Sequence, residues 1–304
     1  MNPNPLARAI TGISGILVAP FDRDDRLDAG PLGPIVDRAV TAGIHVLVAN
    51  GNTGEFYGLA LEEAEDFVRM AAQKIDGRVP LLAGIGRSVK DAERLARTSA
   101  EAGAAGLMIH QPPDPFAAPR GVSDYVKRVR DAAGLPIVIY LRNDAIGTAA
   151  IAELCSIEGV VGVKWATPNP MRLAEAMDAA PDHIVWVGGL AEVWAPVFYA
   201  VGARGFTSGL INVWPQRSMA IFEALEASDY ARARDLIAGM REFEAVRAEE
   251  MNGTNVTGVK AALALTGNDC GPCRPPSAWP LTAGQHKRLE AFLERAGLSV
   301  RKAS

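Results

Sequence analysis

What most constrains the fold is an alternation repeated eight times: a short apolar run rich in β-branched residues, then an amphipathic stretch of helical period. The runs are residues 13–19, 45–49, 79–83, 106–109, 136–140, 160–164, 184–187 and 204–207. Near-continuous apolar runs belong to strands buried on both faces, and strands separated by helices pair in parallel. Between them, Leu61, Ala64, Val68, Ala71, Ala72 and Ile75 share one face at the 3.6-residue period. After Ser88, the same holds for Ala92, Leu95, Ala96 and Ser99, and Ser88 with Asp91 has the spacing of a capping box. Eight such units predict an α/β chain closed as a (β/α)8 TIM barrel. An open doubly wound sheet would announce a Gly-rich phosphate loop after its first strand. Here Pro20-Phe21-Asp22 follows instead, so neither a nucleotide nor another cofactor is expected.

After the eighth run the strands stop. Residues 215–226 complete the barrel, and Tyr230, Ala233, Ile237, Met240 and Phe243 mark a further helix. Two more helices are expected after Asn255 and after Thr282, where Thr282 and Gln285 form a capping-box pair. The expected organisation is a barrel domain over 1–227 and a helical C-terminal region over 228–304.

Composition narrows the function. Hydrophobic residues at 49% and charged residues at 22% suit a chain with a large core. A net charge of −4 with a pI near 5.7 lacks the basic footprint that nucleic acid requires. No apolar run approaches the roughly 18 residues of a membrane span, and no basic–apolar leader is evident. A cytoplasmic protein without nucleic-acid or membrane partners is expected. Three cysteines make no disulfide framework, and Cys270-Gly-Pro-Cys273 falls in a late loop rather than between a strand and a helix, as a redox pair would. The histidines His45, His110, His183 and His286 stand at no ligand spacing, so no metal is expected.

Barrel sites lie at the C-terminal ends of strands. Of seven lysines, Lys74, Lys90, Lys127, Lys260, Lys287 and Lys302 fall in helical patterns or the tail, where a solvated charge is the default. Lys164 alone closes an apolar run. Two readings stand: a lysine paired with a carboxylate at the rim, or a desolvated amine whose neutral form attacks a carbonyl. Tyr140 closes the preceding run and is therefore a lateral neighbour, able to move protons beside an imine. After the second run, Asn50-Gly-Asn-Thr-Gly-Glu55 combines a tight turn with the Thr53 hydroxyl, a set of donors suited to a carboxylate.

Taken together these residues resemble the dihydrodipicolinate synthase/N-acetylneuraminate lyase family, over nearly the whole chain from Gly15 to Pro276. The resemblance implies a homotetrameric barrel lyase, with Lys164 as Schiff-base lysine, Tyr140 as general acid/base and a 2-oxo acid as substrate. It places the substrate carboxylate on Gly51, Asn52, Thr53 and Gly54. Gly189, in the Gly188-Gly189 turn, and Ser208, in Gly205–Gly209, match segments lining the family's substrate cavity, and Ser208 and Asn212 are expected to add polar contacts to a hydroxylated substrate. Departures are also plain. Asn52 replaces a relay threonine, Gln111-Pro-Pro-Asp-Pro-Phe116 replaces the Pro-Tyr-Tyr segment, and Ala145 stands where an arginine is expected. Dihydrodipicolinate synthesis is therefore not expected. Tyr140-Leu-Arg142 is closer to sugar-acid members such as 5-dehydro-4-deoxyglucarate dehydratase. Arg142 then either holds a distal carboxylate or forms a structural ion pair with Asp144. A non-catalytic 2-oxo acid sensor is the remaining alternative.

Overall fold

The computed structural model describes residues 4–300; Lys302 lies outside them. Eight strands form: β1 Ile13–Ile16, β2 Val46–Ala49, β3 Leu81–Ile85, β4 Gly106–His110, β5 Ile137–Leu141, β6 Val160–Trp165, β7 Val185–Gly188 and β8 Phe206–Ser208. They close into a parallel barrel in sequence order, the (β/α)8 fold that the alternation predicts. Nearly every strand residue is buried, since one side chain in two points into the barrel and the next points under a helix.

The strand ends differ from the apolar runs in instructive ways. The first run continues to Ala19, but β1 stops at Ile16. Leu17, Val18 and Ala19 are buried without strand pairing, and the Val18 amide donates to the Asn212 side chain instead. Apolar sequence cannot distinguish a strand from a buried loop with side-chain partners. In the other direction, β4 runs one residue past its apolar run, because His110 pairs with Tyr140 although its side chain is polar.

The chain packs as two compact units. One comprises His45–Val48, Asp76–Thr207 and the segment up to Ser14; the other comprises Gly15–Ile44, Ala49–Ile75 and the segment from Ser208 onward. In the first, Ser14, Val48, Leu82, Met108, Val138, Val187 and Thr207 line an apolar cavity together with Ile10 and Lys164. Ile10 follows the helix Pro5–Ala9, whose Asn4 cap accepts from the Leu6 amide. Leu6 and Ile10 reach strand positions that carry no side chain: a Cβ on Gly106 would stand 2.2 Å from Leu6, and one on Gly162 would stand 2.7 Å from Ile10.

The second unit holds the helices that follow β8: Pro215–Glu226, Tyr230–Ala238, Arg241–Asn252, Asn255–Leu265 and Ala283–Arg295. The last opens with the full capping box of Thr282 and Gln285. No helix among the described residues is long and apolar enough to cross a membrane.

Candidate active site

Lys164 is the penultimate residue of β6 and is 4% exposed. Its neighbours in register are Tyr140 on β5 and Val187 on β7. Burial pulls its amine down from 10.5 to about 7, with the Arg142 guanidinium adding to the effect. No carboxylate enters that balance, and among the described residues Lys164 makes no ion pair. The reading of a rim lysine paired with an acid is thus excluded. Near pH 7 about half of such an amine is uncharged, which is the nucleophilic form.

Tyr140 supports it from the side. The Lys164 Nζ lies 3.9 Å from the centre of the Tyr140 ring. Tyr140 is itself 4% exposed, and its ring centre is 5.1 Å from that of His110. Arg142 follows directly after β5 and is exposed. Its backbone is pinned by Gln111, whose Oε1 accepts from the amides of Arg142 at 2.9 Å and Asn143 at 2.8 Å. The guanidinium makes no ion pair among the described residues; Asp144 accepts from Asn169 instead. Gly189, just past β7, donates its amide to the Trp165 carbonyl at 2.7 Å. A Cβ there would sit 2.7 Å from that same oxygen, so glycine is required where the chain passes the end of β6. Lys164, Tyr140, Arg142 and Gly189 all belong to the first unit.

The turn after β2 is built in the second unit. Asn52–Gly54 form a single 3-10 turn that follows Gly51, with the amides of Gly54 and Glu55 donating to the carbonyls of Gly51 and Asn52 at 3.0 Å. Thr53, in the middle of the turn, is 5% exposed. Gly51 has no room for a side chain, since a Cβ would meet Ile16 at 2.4 Å. The turn is anchored behind by Glu55. Its carboxylate pairs with Lys260 at 2.6 Å and accepts from the Arg274 amide at 2.8 Å. Lys260 and Arg274 stack on Phe21, 4.3 and 4.1 Å from the ring centre, and Arg274 grips Glu63 with two nitrogens. The default reading of Lys260 as a solvated charge is wrong: it is fully buried. A helix that is buried on nearly every side gives its lysine no route to water.

Ser208 and Asn212 are committed locally. The Ser208 hydroxyl lies 3.1 Å from that of Ser218 and accepts from the Ile211 amide. Asn212 donates to the carbonyls of Ile16 and Gly209 and accepts from Val18, so both its amide hydrogens bond backbone. Cys270 and Cys273 are free and buried, and burial pushes both thiols up to about 12. That setting is the opposite of an exposed, easily ionised redox thiol. Among the described residues no cluster of His, Cys, Asp or Glu could hold a metal.

His110, Gln111 and the Glu55–Lys260 pair were not among the site residues expected from sequence. His110 closes β4 and so obeys the strand-end rule that selects Lys164 and Tyr140. It escapes notice only because the apolar run stops one residue short of it.

The dihydrodipicolinate synthetase family matches residues 9–296 of this chain. A probable 5-dehydro-4-deoxyglucarate dehydratase of Rhizobium rhizogenes is 31% identical over 302 residues, covering 97% of this chain and 99% of the relative. Another of that name, from Streptomyces coelicolor, is 32% identical over 317 residues, covering 100% of this chain and 99% of its own. Among solved structures, dihydrodipicolinate synthase from Bacillus clausii superposes with a TM-score of 0.93 at 35% identity, covering 97% of this chain and 100% of that one. Relatives named as dehydratases and as synthases thus share one fold and one lineage. The chain belongs to the dihydrodipicolinate synthetase family and is a lyase.

Proposed function

We propose that the protein dehydrates a sugar diacid of the 5-dehydro-4-deoxyglucarate type through a Schiff base on Lys164. The observation that carries the reading is the buried, weakly basic Lys164 amine over the Tyr140 ring, with no carboxylate to hold it as an ammonium. Lys164 attacks the C2 ketone, and loss of water from the carbinolamine gives the imine. Tyr140 takes the C3 proton, and the C3–H electrons become the enamine double bond. The enamine then expels the C4 hydroxyl, which takes up the proton held on Tyr140 and leaves as water, and hydrolysis of the resulting imine frees Lys164. The carboxylate beside C2 is assigned to the Gly51–Gly54 turn, with Asn52 in it and the Thr53 amide and hydroxyl as donors. Gly189 and Ser208 are assigned to the substrate-binding set on the family resemblance alone.

Arg142 favours a diacid. Its guanidinium is exposed and, among the described residues, without an ion pair, yet close enough to lower the basicity of Lys164. A planar, always-charged fork suits a distal carboxylate. Aldol cleavage uses the same imine, with the C3–C4 bond breaking in place of C4–O, and the resemblance to a synthase structure supports it as the second reading. We also infer a cytoplasmic homo-oligomer, a tetramer, in keeping with the family resemblance and with exposed Phe116, Met171, Val193 and Val197.

A panel of 2-oxo-3-deoxy sugar acids, with and without a terminal carboxylate, tests this by mass analysis of products. Loss of water is expected from the diacids. Arg142→Ala should raise KM for them by roughly 10- to 100-fold, as expected for a charge-assisted hydrogen bond, and leave the monoacids unchanged. Equal kinetics on both sets before and after the substitution rules out the diacid, and binding without turnover leaves a sensor.

A further inference from the structure

Three consecutive strands bring a titratable side chain to one level of the first unit. His110 ends β4 and pairs in register with Tyr140 of β5, which pairs with Lys164 of β6. Two residues earlier on the first two strands, Met108 and Val138 line the interior cavity that Lys164 also lines. Side chains two apart share a face, so His110 and Tyr140 turn inward as Lys164 does. His110 is 1% exposed, its ring tilted 59° to that of Tyr140 at 5.1 Å. Tyr140 is flanked by an imidazole on one side and the reacting amine on the other.

Filling space would not require an imidazole. Its neighbours in the strands, Met108, Ile109 and Ile139, are apolar, and burying a polar ring among them carries a cost that an aliphatic side chain avoids. The reaction also has two proton events, one off C3 and one onto the departing hydroxyl. A phenolate that has taken the first proton must pass it on before it can act again.

We propose that His110 is the proton partner of Tyr140. The inference rests on the Schiff-base reading above. Tyr140 receives the C3 proton as the enamine forms, and a ring nitrogen of His110 accepts that proton from the phenol, restoring the phenolate. The imidazolium returns it by the same route to the C4 hydroxyl, which leaves as water as the C–O bond breaks. The proton lost from C3 thus leaves in the water, and no other reactant is needed. His110 acts through Tyr140 and positions its proton.

On β3, Ile85 pairs with Ile109, the residue before His110, and Gly86 and Arg87 follow Ile85 in the chain; on the other side Tyr140 pairs with His110 and Lys164 with Tyr140. The helix Val89–Glu101 buries Ala92, Leu95, Ala96, Thr98 and Ser99, and the helix Pro119–Ala133 buries Val122, Ser123, Tyr125, Val126 and Val129, with the Tyr125 hydroxyl donating to the Arg87 carbonyl.

The test uses pyruvate, which reports the chemistry without the natural substrate. Exchange of its methyl protons for deuterium in D2O is followed by NMR, alongside borohydride trapping at Lys164. In His110→Asn and His110→Gln the trapped adduct should form as in the parent, within about 3-fold in pyruvate affinity. The exchange rate should fall by roughly 100-fold or more, and its limb in the pH 5–8 window where imidazole titrates should vanish. The two variants differ in size, so a folding defect in one leaves the other to decide. An exchange rate within about 3-fold of the parent, with the same pH limb, overturns the proposal while leaving the Schiff base intact. Absence of the adduct in the parent itself defeats the Schiff-base reading and this inference with it.

Discussion

At neutral pH a lysine in water is an ammonium, and the fold must hold Lys164 against that preference. The ring face of Tyr140 favours the cation by about 0.5–2 kcal/mol. Burial and Arg142 act the other way, and lowering an amine from 10.5 to about 7 corresponds to roughly 5 kcal/mol. Burial therefore wins, and its cost falls on stability. The unfolded chain binds the proton more tightly, so this penalty is full below about pH 7 and fades as the pH rises toward 10.5. Lys164→Met should accordingly unfold in urea with a gain of roughly 2–4 kcal/mol at pH 7, allowing for relaxation around the buried charge. The gain should shrink as the pH is raised to 10, while activity is abolished. Equal or lower stability at pH 7 would show that Lys164 is not held under strain. The lysine and Tyr140 are legible in sequence because each breaks the apolar pattern at a strand end. Asn212 is not, since only the fold reveals that its amide bonds the backbone of residues 16 and 18.

Elements matter here mainly through where they stop. The end of β6 carries Lys164 and Trp165, and Gly189 passes it at 2.7 Å. Gly189→Ala places a methyl within 2.7 Å of the Trp165 carbonyl and 2.8 Å of the Ala166 Cβ. Overpacking of this kind costs about 1–3 kcal/mol. Because the strain falls on the strand that aims Lys164, kcat should drop by roughly 10- to 100-fold with little change in KM. Thermal melts and steady-state kinetics on a turned-over 2-oxo acid check both halves; wild-type kcat in a destabilised variant would separate packing from aim. The existence and order of the eight strands follow from hydrophobic alternation alone. Their ends do not, because the competition between strand pairing and side-chain capping of a buried backbone is settled by distant residues such as Asn212.

At the scale of the molecule, residues remote in sequence fix the turn that follows β2. Glu55 and Lys260 form a buried pair at 2.6 Å, with Lys260 also donating to the Pro272 carbonyl and Arg274 to Glu55. Removing one partner of such a pair leaves an uncompensated buried charge, at a cost of about 3–5 kcal/mol. Lys260→Met should therefore be strongly destabilised in urea, and Glu55→Gln added to it should recover most of the loss. Additive losses in that cycle would mean that the two side chains do not act as a pair. Helical spacing gives no warning of this arrangement: Lys260 sits in Asn255–Leu265, where residues 256–263 are all buried, and its partner lies in a turn some two hundred residues earlier. The family and the lyase chemistry, by contrast, follow from short motifs in a fixed order along the chain. The central claim is that Lys164 forms an imine with a 2-oxo acid. Incubation with pyruvate, reduction with borohydride and mass mapping of the digest should find one adduct, on Lys164, absent from Lys164→Met. No adduct at Lys164 with pyruvate or any other 2-oxo acid would contradict it.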